Sequence, residues 1–209
     1  MKHDISTANS LTRGQESAVF LKIAEQTGIQ DVADAVGAYL RGSFELVRVK
    51  ILDMIGTITT STTTEPFIAK EKFVRGSKEI KFYGFGDNFT KWFLDGAGKV
   101  EGPQDGRELR YGDLTKPSTD GPIIEEIGGE AKAETTLSEL YDLLQKQSRG
   151  EGGVLLTNGH SNIFYVPDTS VVLRAVDVDW GGGGWYVVAD PVGDPDGWVA
   201  GSRVFSGNS

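Results

Sequence analysis

Between Gly153 and Ser206 the chain alternates short β-branched or aromatic runs with strong turn residues, and this stretch constrains the fold more than any other. Val154 to Thr157 and Asn162 to Val166 flank Asn158-Gly159-His160-Ser161. Asn-Gly between two apolar runs is a hairpin signal, because both residues accept positive φ at little steric cost. Pro167 to Ser170 forms a turn cluster, and Val171 to Trp180 then reads as a longer strand. Along it Val172, Arg174, Val176, Val178 and Trp180 share one face, while Val171, Leu173, Ala175, Asp177 and Asp179 share the other. Gly181 to Gly184 allow the chain to reverse before Trp185 to Ala189, and the Pro- and Gly-containing loop Asp190 to Gly197 leads into a last run, Trp198 to Phe205. The pattern predicts a five-stranded antiparallel meander.

One face of such a meander needs a cover, and the segment before it supplies one. Thr136 and Glu139 have capping-box spacing, Leu137, Leu140, Tyr141 and Leu144 fall on one helical stripe, and Lys146 and Arg149 suit the negative end of the helix dipole. Gly150 stands where a left-handed cap is needed. The spacing predicts a helix over 136–149, docked on the meander.

Upstream, Thr12 with Gln15 repeats the capping spacing, and two apolar stripes, Val19, Phe20, Ile23, Ala24 and then Ile29, Val32, Ala33, Val36, Tyr39, Leu40, predict a helical hairpin. Phe44 to Ile58 fits a helix by spacing and a strand by its Val and Ile content, and periodicity does not decide between them. The threonine-rich run from Gly56, then Pro66 to Val74 and Glu79 to Phe85, read as strands of a second, smaller sheet, with Arg107 to Tyr111 a further short strand. Gly84 to Phe93 packs four aromatics and two glycines together, and without the remaining residues of a dinucleotide fingerprint it reads as core rather than as a phosphate cradle. The fold class is therefore α+β: an N-terminal half (1–111) of helical hairpin plus small sheet, a linker (112–134), and a C-terminal half (135–209) of helix plus meander, the whole also compatible with one domain.

Composition narrows the function. With 209 residues the chain can bury a sizeable core, and the absence of cysteine excludes thiolate nucleophiles and thiolate metal sites. A net charge of −9 without a basic stripe argues against nucleic acid, and no apolar run reaches transmembrane or signal-peptide length, which predicts a cytoplasmic protein with no membrane insertion. With two histidines in the chain, a histidine-rich metal site cannot be assembled, and no cofactor motif is present.

Several strings, GDNF (Gly86 to Phe89) followed by Trp92-Phe93, PIIEEIGGEAKAETTLSE (Pro122 to Glu139), LLTNG (Leu155 to Gly159), NIFYV (Asn162 to Val166) and GWYV (Gly184 to Val187), resemble the pattern of a group of short bacterial hypothetical proteins. The resemblance covers most of the chain beyond about residue 40 and implies a bacterial or bacterium-associated origin. That group has no assigned activity, so the resemblance transfers no catalytic or binding residue.

The candidate sites are individually modest. His160 sits in a turn with no serine-nucleophile motif beside it and reads first as a turn residue. Asp177 and Asp179 form an acid/base or ligand-binding pair on one strand face, or simply an acidic strand end. Asp190, Asp194 and Asp196 with Gly193 and Gly197 outline a calcium-like loop, but the twelfth position of the EF-hand template is not Glu. Trp180, Trp185, Tyr186 and Trp198 are the strongest binding candidates, an aromatic platform beside flexible glycines. The expectation is a non-enzymatic interaction or assembly module that binds a protein partner or itself through the aromatic end of the sheet. The alternative is a hydrolase or carbohydrate-like small-molecule binder using Asp177, Asp179 and His160.

Overall fold

The computed structural model describes residues 50–207, which fall in a single unit, Lys50–Ser209. The helical hairpin expected over residues 12–42 and the start of the ambiguous Phe44–Ile58 segment lie outside the described residues. From Leu52 onward that segment is a strand.

Nine strands are described: β1 (Leu52–Thr59), β2 (Phe67–Ile68), β3 (Phe82–Phe85), β4 (Val100–Glu101), β5 (Glu108–Leu114), β6 (Asn162–Pro167), β7 (Leu173–Trp180), β8 (Trp185–Pro191) and β9 (Arg203–Gly207). Seven of them form one sheet in the order β1-β5-β9-β6-β7-β8-β3, and β2 pairs with β4 in a separate two-stranded ribbon. The helices are α1 (Ala69–Lys72), α2 (Asp87–Phe89) running into a π-helical turn (Thr90–Leu94), α3 (Asp120–Ile127), α4 (Glu130–Ala133) and α5 (Leu137–Lys146). The class is α+β with a mainly antiparallel sheet.

Three expectations need correction. The five-strand meander reduces to three strands, β6-β7-β8, paired antiparallel in succession. Val154 to Thr157 is not a strand, so Asn158-Gly159 closes no hairpin although Gly159 takes positive φ. Side-chain amides replace the ladder there: Asn162 Oδ1 accepts the Leu156 N–H at 2.7 Å and its Nδ2 donates to the Leu156 carbonyl at 3.0 Å, while Gln147 binds both backbone groups of Leu155. The last strand, β9, does not follow β8 but inserts between β5 and β6, antiparallel to the first and parallel to the second. Arg203 anchors it with a two-pronged bond to Asp113 of β5, at 2.7 and 2.9 Å.

Nor is there a second, smaller sheet of the kind expected. β1, β3 and β5 join the C-terminal strands, and Pro66 to Val74 yields only the two residues of β2 before turning into α1. Strands on both sides of 112–134 therefore share one sheet, and 112–134 itself contains the end of β5 and the helices α3 and α4.

Strand register sorts the side chains onto two faces. One carries Leu109, Phe205, Phe164, Val166, Val176, Val178, Trp185, Val187 and Ala189, all in one buried cluster with Leu137, Leu140, Tyr141 and Leu144 of α5. The expected helix thus lies over the sheet. Its capping box is present: Thr136 Oγ1 accepts from the Glu139 N–H at 3.2 Å and Glu139 Oε2 from the Thr136 N–H at 2.8 Å. Glu101 of β4 takes the next two orphan amides, those of Leu137 and Ser138, each at 2.9 Å, and Arg107 pairs with Glu139. Phe67, Phe73, Phe82, Phe89 and Phe93 extend the same core, so the GDNF…WF segment is packing, with Phe89 and Phe93 fully buried. Gly86 is the N-cap of α2 and Asp87 makes no capping bond.

The opposite face is covered over only part of its area. Ile123 and Ile124 of α3, Ala133 of α4 and Trp198 from the loop after β8 pack on Leu52, Leu114, Val204, Ile163, Tyr165 and Ala175. Beyond Ala175 the β7 side chains on this face are polar, yet Asp177 is still buried and Asp179 half-buried.

Candidate functional site

The acidic part of this second face belongs to β7 and β8. Ala175 stands opposite Asp190, Asp177 opposite Val188, and Asp179 opposite Tyr186, so period-two alternation puts Asp177, Asp179, Tyr186, Val188 and Asp190 on the same side of the sheet. The Asp177/Asp179 pair expected from spacing is joined there by Asp190. On edge strand β3, Tyr83 is 69% exposed and meets Tyr186 edge-on, ring centroids 6.1 Å apart. Gly84 and Gly86 leave the adjoining surface low: a Cβ at Gly84 would press on Tyr186 and Arg75, and one at Gly86 on Val188.

The carboxylates of this face are unpaired, and the one cation seen beside it among the described residues, the Arg75 guanidinium, lies at the β3 edge against Gly84 and Tyr186. Asp177, Asp179, Asp190, Asp194 and Asp196 make no ion pair with lysine or arginine among the described residues. Asp177 is 8% exposed, accepts the Ser161 hydroxyl on Oδ2 at 2.9 Å, and has no donor to its buried Oδ1. Burial first, then the neighbouring Asp179 and Asp190 charges, push its carboxyl up to about 7 against the Ser161 hydroxyl and the Asn162 N–H. Burial also raises Asp179, and burial followed by the charge of Asp194 raises Asp190, with Asn88 of α2 pulling the other way.

At one end of the face, Asp120, Asp190, Asp194, Asp196, Gly197 and Trp198 line a cleft of about 120 Å³. Asp120 is the buried hub: it accepts from Tyr165 Oη at 2.9 Å, Trp198 Nε1 at 2.7 Å and the Gly193 N–H at 3.1 Å. These three bonds take most of its roughly four acceptor positions. Among the described residues no group of three or more His, Cys, Asp or Glu side chains has the arrangement to hold a metal ion.

The four aromatic candidates are dispersed rather than gathered. Trp185 is fully buried under α5 and donates its indole N–H to the Gln147 carbonyl at 2.8 Å. Trp180 meets Trp185 edge-on, centroids 5.4 Å apart, and lies against Gly150 with the Lys81 ammonium over its ring at 5.8 Å. Both belong to the α5 side of the sheet. Tyr186 lies on the acidic face, and Trp198 on the loop that roofs the other end of that face.

His160 is half-buried, its ring against Gly201, and its Nδ1 has no hydrogen-bond partner. Because β6 and β9 start side by side, Ser161 and Ser202 are neighbours there, and the Arg203 N–H donates to the Ser161 carbonyl at 2.9 Å, holding this corner together. Ser202 Oγ, likewise buried, has no partner either. The structure therefore brings His160, Ser161, Ser202 and Asp177 to one corner, whereas Asp190, Asp194 and Asp196 gather around the cleft. Tyr83, Asp120, Ser161 and Ser202 carried no sequence signal of their own, since each matters through a partner remote in the chain.

Comparison with protein-family models, with curated proteins and with solved structures finds no match to this chain. Among the described residues no helix is long and apolar enough to cross a membrane.

Proposed function

We propose that the protein is an interaction module whose half-exposed acidic face, Asp179, Asp190, Tyr83 and Tyr186 with buried Asp177, docks a basic segment of a protein partner. The observation that carries this reading is the co-facial set of aspartates with no ion-pair partner among the described residues, beside Tyr83, exposed on edge strand β3, and the half-buried Tyr186 of β8. Such a surface steers cations by charge and offers tyrosine rings as amphipathic contacts for arginine or lysine stems.

The test is fluorescence anisotropy with a labelled lysine- and arginine-rich peptide, titrated at low and moderate salt. Binding that weakens with salt, and weakens by about tenfold in Asp179→Asn/Asp190→Asn and in Tyr186→Ala, supports the reading. An equal affinity in wild type and variants, or no binding to any basic probe, removes it.

A second reading, hydrolysis of a small molecule, draws on one observation, the Ser161 hydroxyl donated to Asp177 beside His160. Turnover of ester substrates abolished by Ser161→Ala would favour it over docking.

A further inference from the structure

We propose that Asp177 is a proton-linked switch built into the acidic face: neutral, it lets Asp179 and Asp190 share that face, and ionised, it adds a third negative charge beneath them. The argument starts from geometry. Asp177 is buried between β6 and β8, one carboxyl oxygen has no donor, and no lysine or arginine reaches it among the described residues. A buried carboxylate without a counter-charge is costly, so the neutral acid is favoured until solvent pH overcomes that cost.

The groups around Asp177 are accounted for element by element. On its own strand stands Asp179, on β8 Asp190, and at the start of β6 the Ser161 hydroxyl, with His160 preceding it. β9 contributes Ser202 at its approach, and its Arg203 is committed to Asp113 and the Val154 carbonyl. Asp120 of α3, with Asp194 and Asp196 of the loop after β8, lies around Asp190 and adds negative charge at longer range. Every charge acting on Asp177 is negative, and the Ser161 hydroxyl and the Asn162 N–H support the ionised form. The balance of these places the titration near 7, where a change of about one pH unit alters the charge of the face. Ionisation releases the proton to bulk solvent and needs no other reactant.

The consequence for a bound partner rests on the docking reading, but the switch does not. Carboxyl carbon shifts of the intact protein, followed by NMR from about pH 4 to about pH 9, read the switch without any partner. The expected result is one carboxyl titrating near neutrality, assigned to Asp177 by its loss in Asp177→Asn, with a matching inflection in the Asp179 and Asp190 curves that disappears in the same variant. Ser161→Ala should move that step upward, since it removes the donor that favours the carboxylate, and this second variant guards against misfolding of the first. An Asp177 that titrates with the ordinary carboxylates, or whose replacement leaves the other two curves unchanged, overturns the proposal.

The same pH series with a lysine-rich peptide separates the two readings. Binding about threefold to tenfold tighter above the step than below it, a gain absent in Asp177→Asn, supports both. No peptide binding at any pH, with the coupled NMR step intact, removes the docking reading and upholds the switch. Peptide binding with the same pH profile in wild type and Asp177→Asn overturns the switch and keeps docking.

Discussion

Trp185 of β8 donates its indole N–H to the carbonyl of Gln147, the residue at the C-terminal cap of α5, across 2.8 Å of fully buried space. The bond adds a second donor to a helix-end carbonyl that also accepts the Gly150 N–H at 3.0 Å, and it ties the helix to a sheet strand 38 residues away in the chain. Trp185→Phe keeps much of the ring but removes one of the two donors to that carbonyl, the Gly150 N–H remaining at 3.0 Å, and should cost about 0.5–1.5 kcal/mol. Trp185→Ala adds a cavity and should cost about 3–5 kcal/mol, both read by urea unfolding.

Val171 takes φ of +63° and is 84% exposed, a left-handed conformation that a β-branched side chain resists. The turn enforces it, because Asp168 Oδ1 accepts the N–H groups of Ser170 and Val172, at 2.7 and 3.0 Å, while its Oδ2 accepts from Arg174 at 2.8 Å. Val171→Gly or Val171→Asn should raise stability by about 1 kcal/mol with no change in fold. A lower unfolding midpoint in both variants would show that the turn does not impose this conformation.

The N-terminus of α5 depends on Thr136 and Glu139 together. Thr136→Ala should cost about 1 kcal/mol through the lost cap. Glu139→Gln should cost more, about 2 kcal/mol, because it also leaves the half-exposed Arg107 guanidinium without its carboxylate. Thermal unfolding of both, with far-ultraviolet circular dichroism as the probe, checks the order.

The pH dependence of stability follows from the raised Asp177 carboxyl. Between the ordinary aspartate range, near 3.9, and about 7 the unfolded chain has released this proton while the folded protein keeps it, so stability falls as pH rises and levels off above the folded value. Asp177→Asn has no proton to lose there. The variant should gain on the wild type by about 2–3 kcal/mol between about pH 5 and about pH 8, measured as the difference in unfolding free energy. A constant difference across that range would place the titration elsewhere.

How much of this was legible beforehand differs by element. The helix from Leu137 was written in local signals at its cap and its stripe, because each acts over a few residues, but it stops at Lys146 with Gln147 as its cap instead of running to Arg149. β6, β7 and β8 were readable as strands, and the shared face of Asp177 and Asp179 followed from alternation alone. The first expected strand, Val154 to Thr157, failed because β-propensity does not reveal that Gln147 and Asn162 side chains satisfy the backbone there. The position of Asp190 beside Asp177 needed the β7–β8 register, which the glycine turn suggests but does not number.

What the sequence determined by itself is local: which residues extend, which coil, which turn, and an acidic balance with no cysteine. What only the tertiary structure decided is partnership. Arg203 finds Asp113 across 90 residues of chain, drawing the last strand between β5 and β6 and merging what read as two halves into one sheet. Periodicity is set by backbone geometry over a few residues, whereas pairing is set by which distant surfaces bury each other best, and no local pattern encodes that choice.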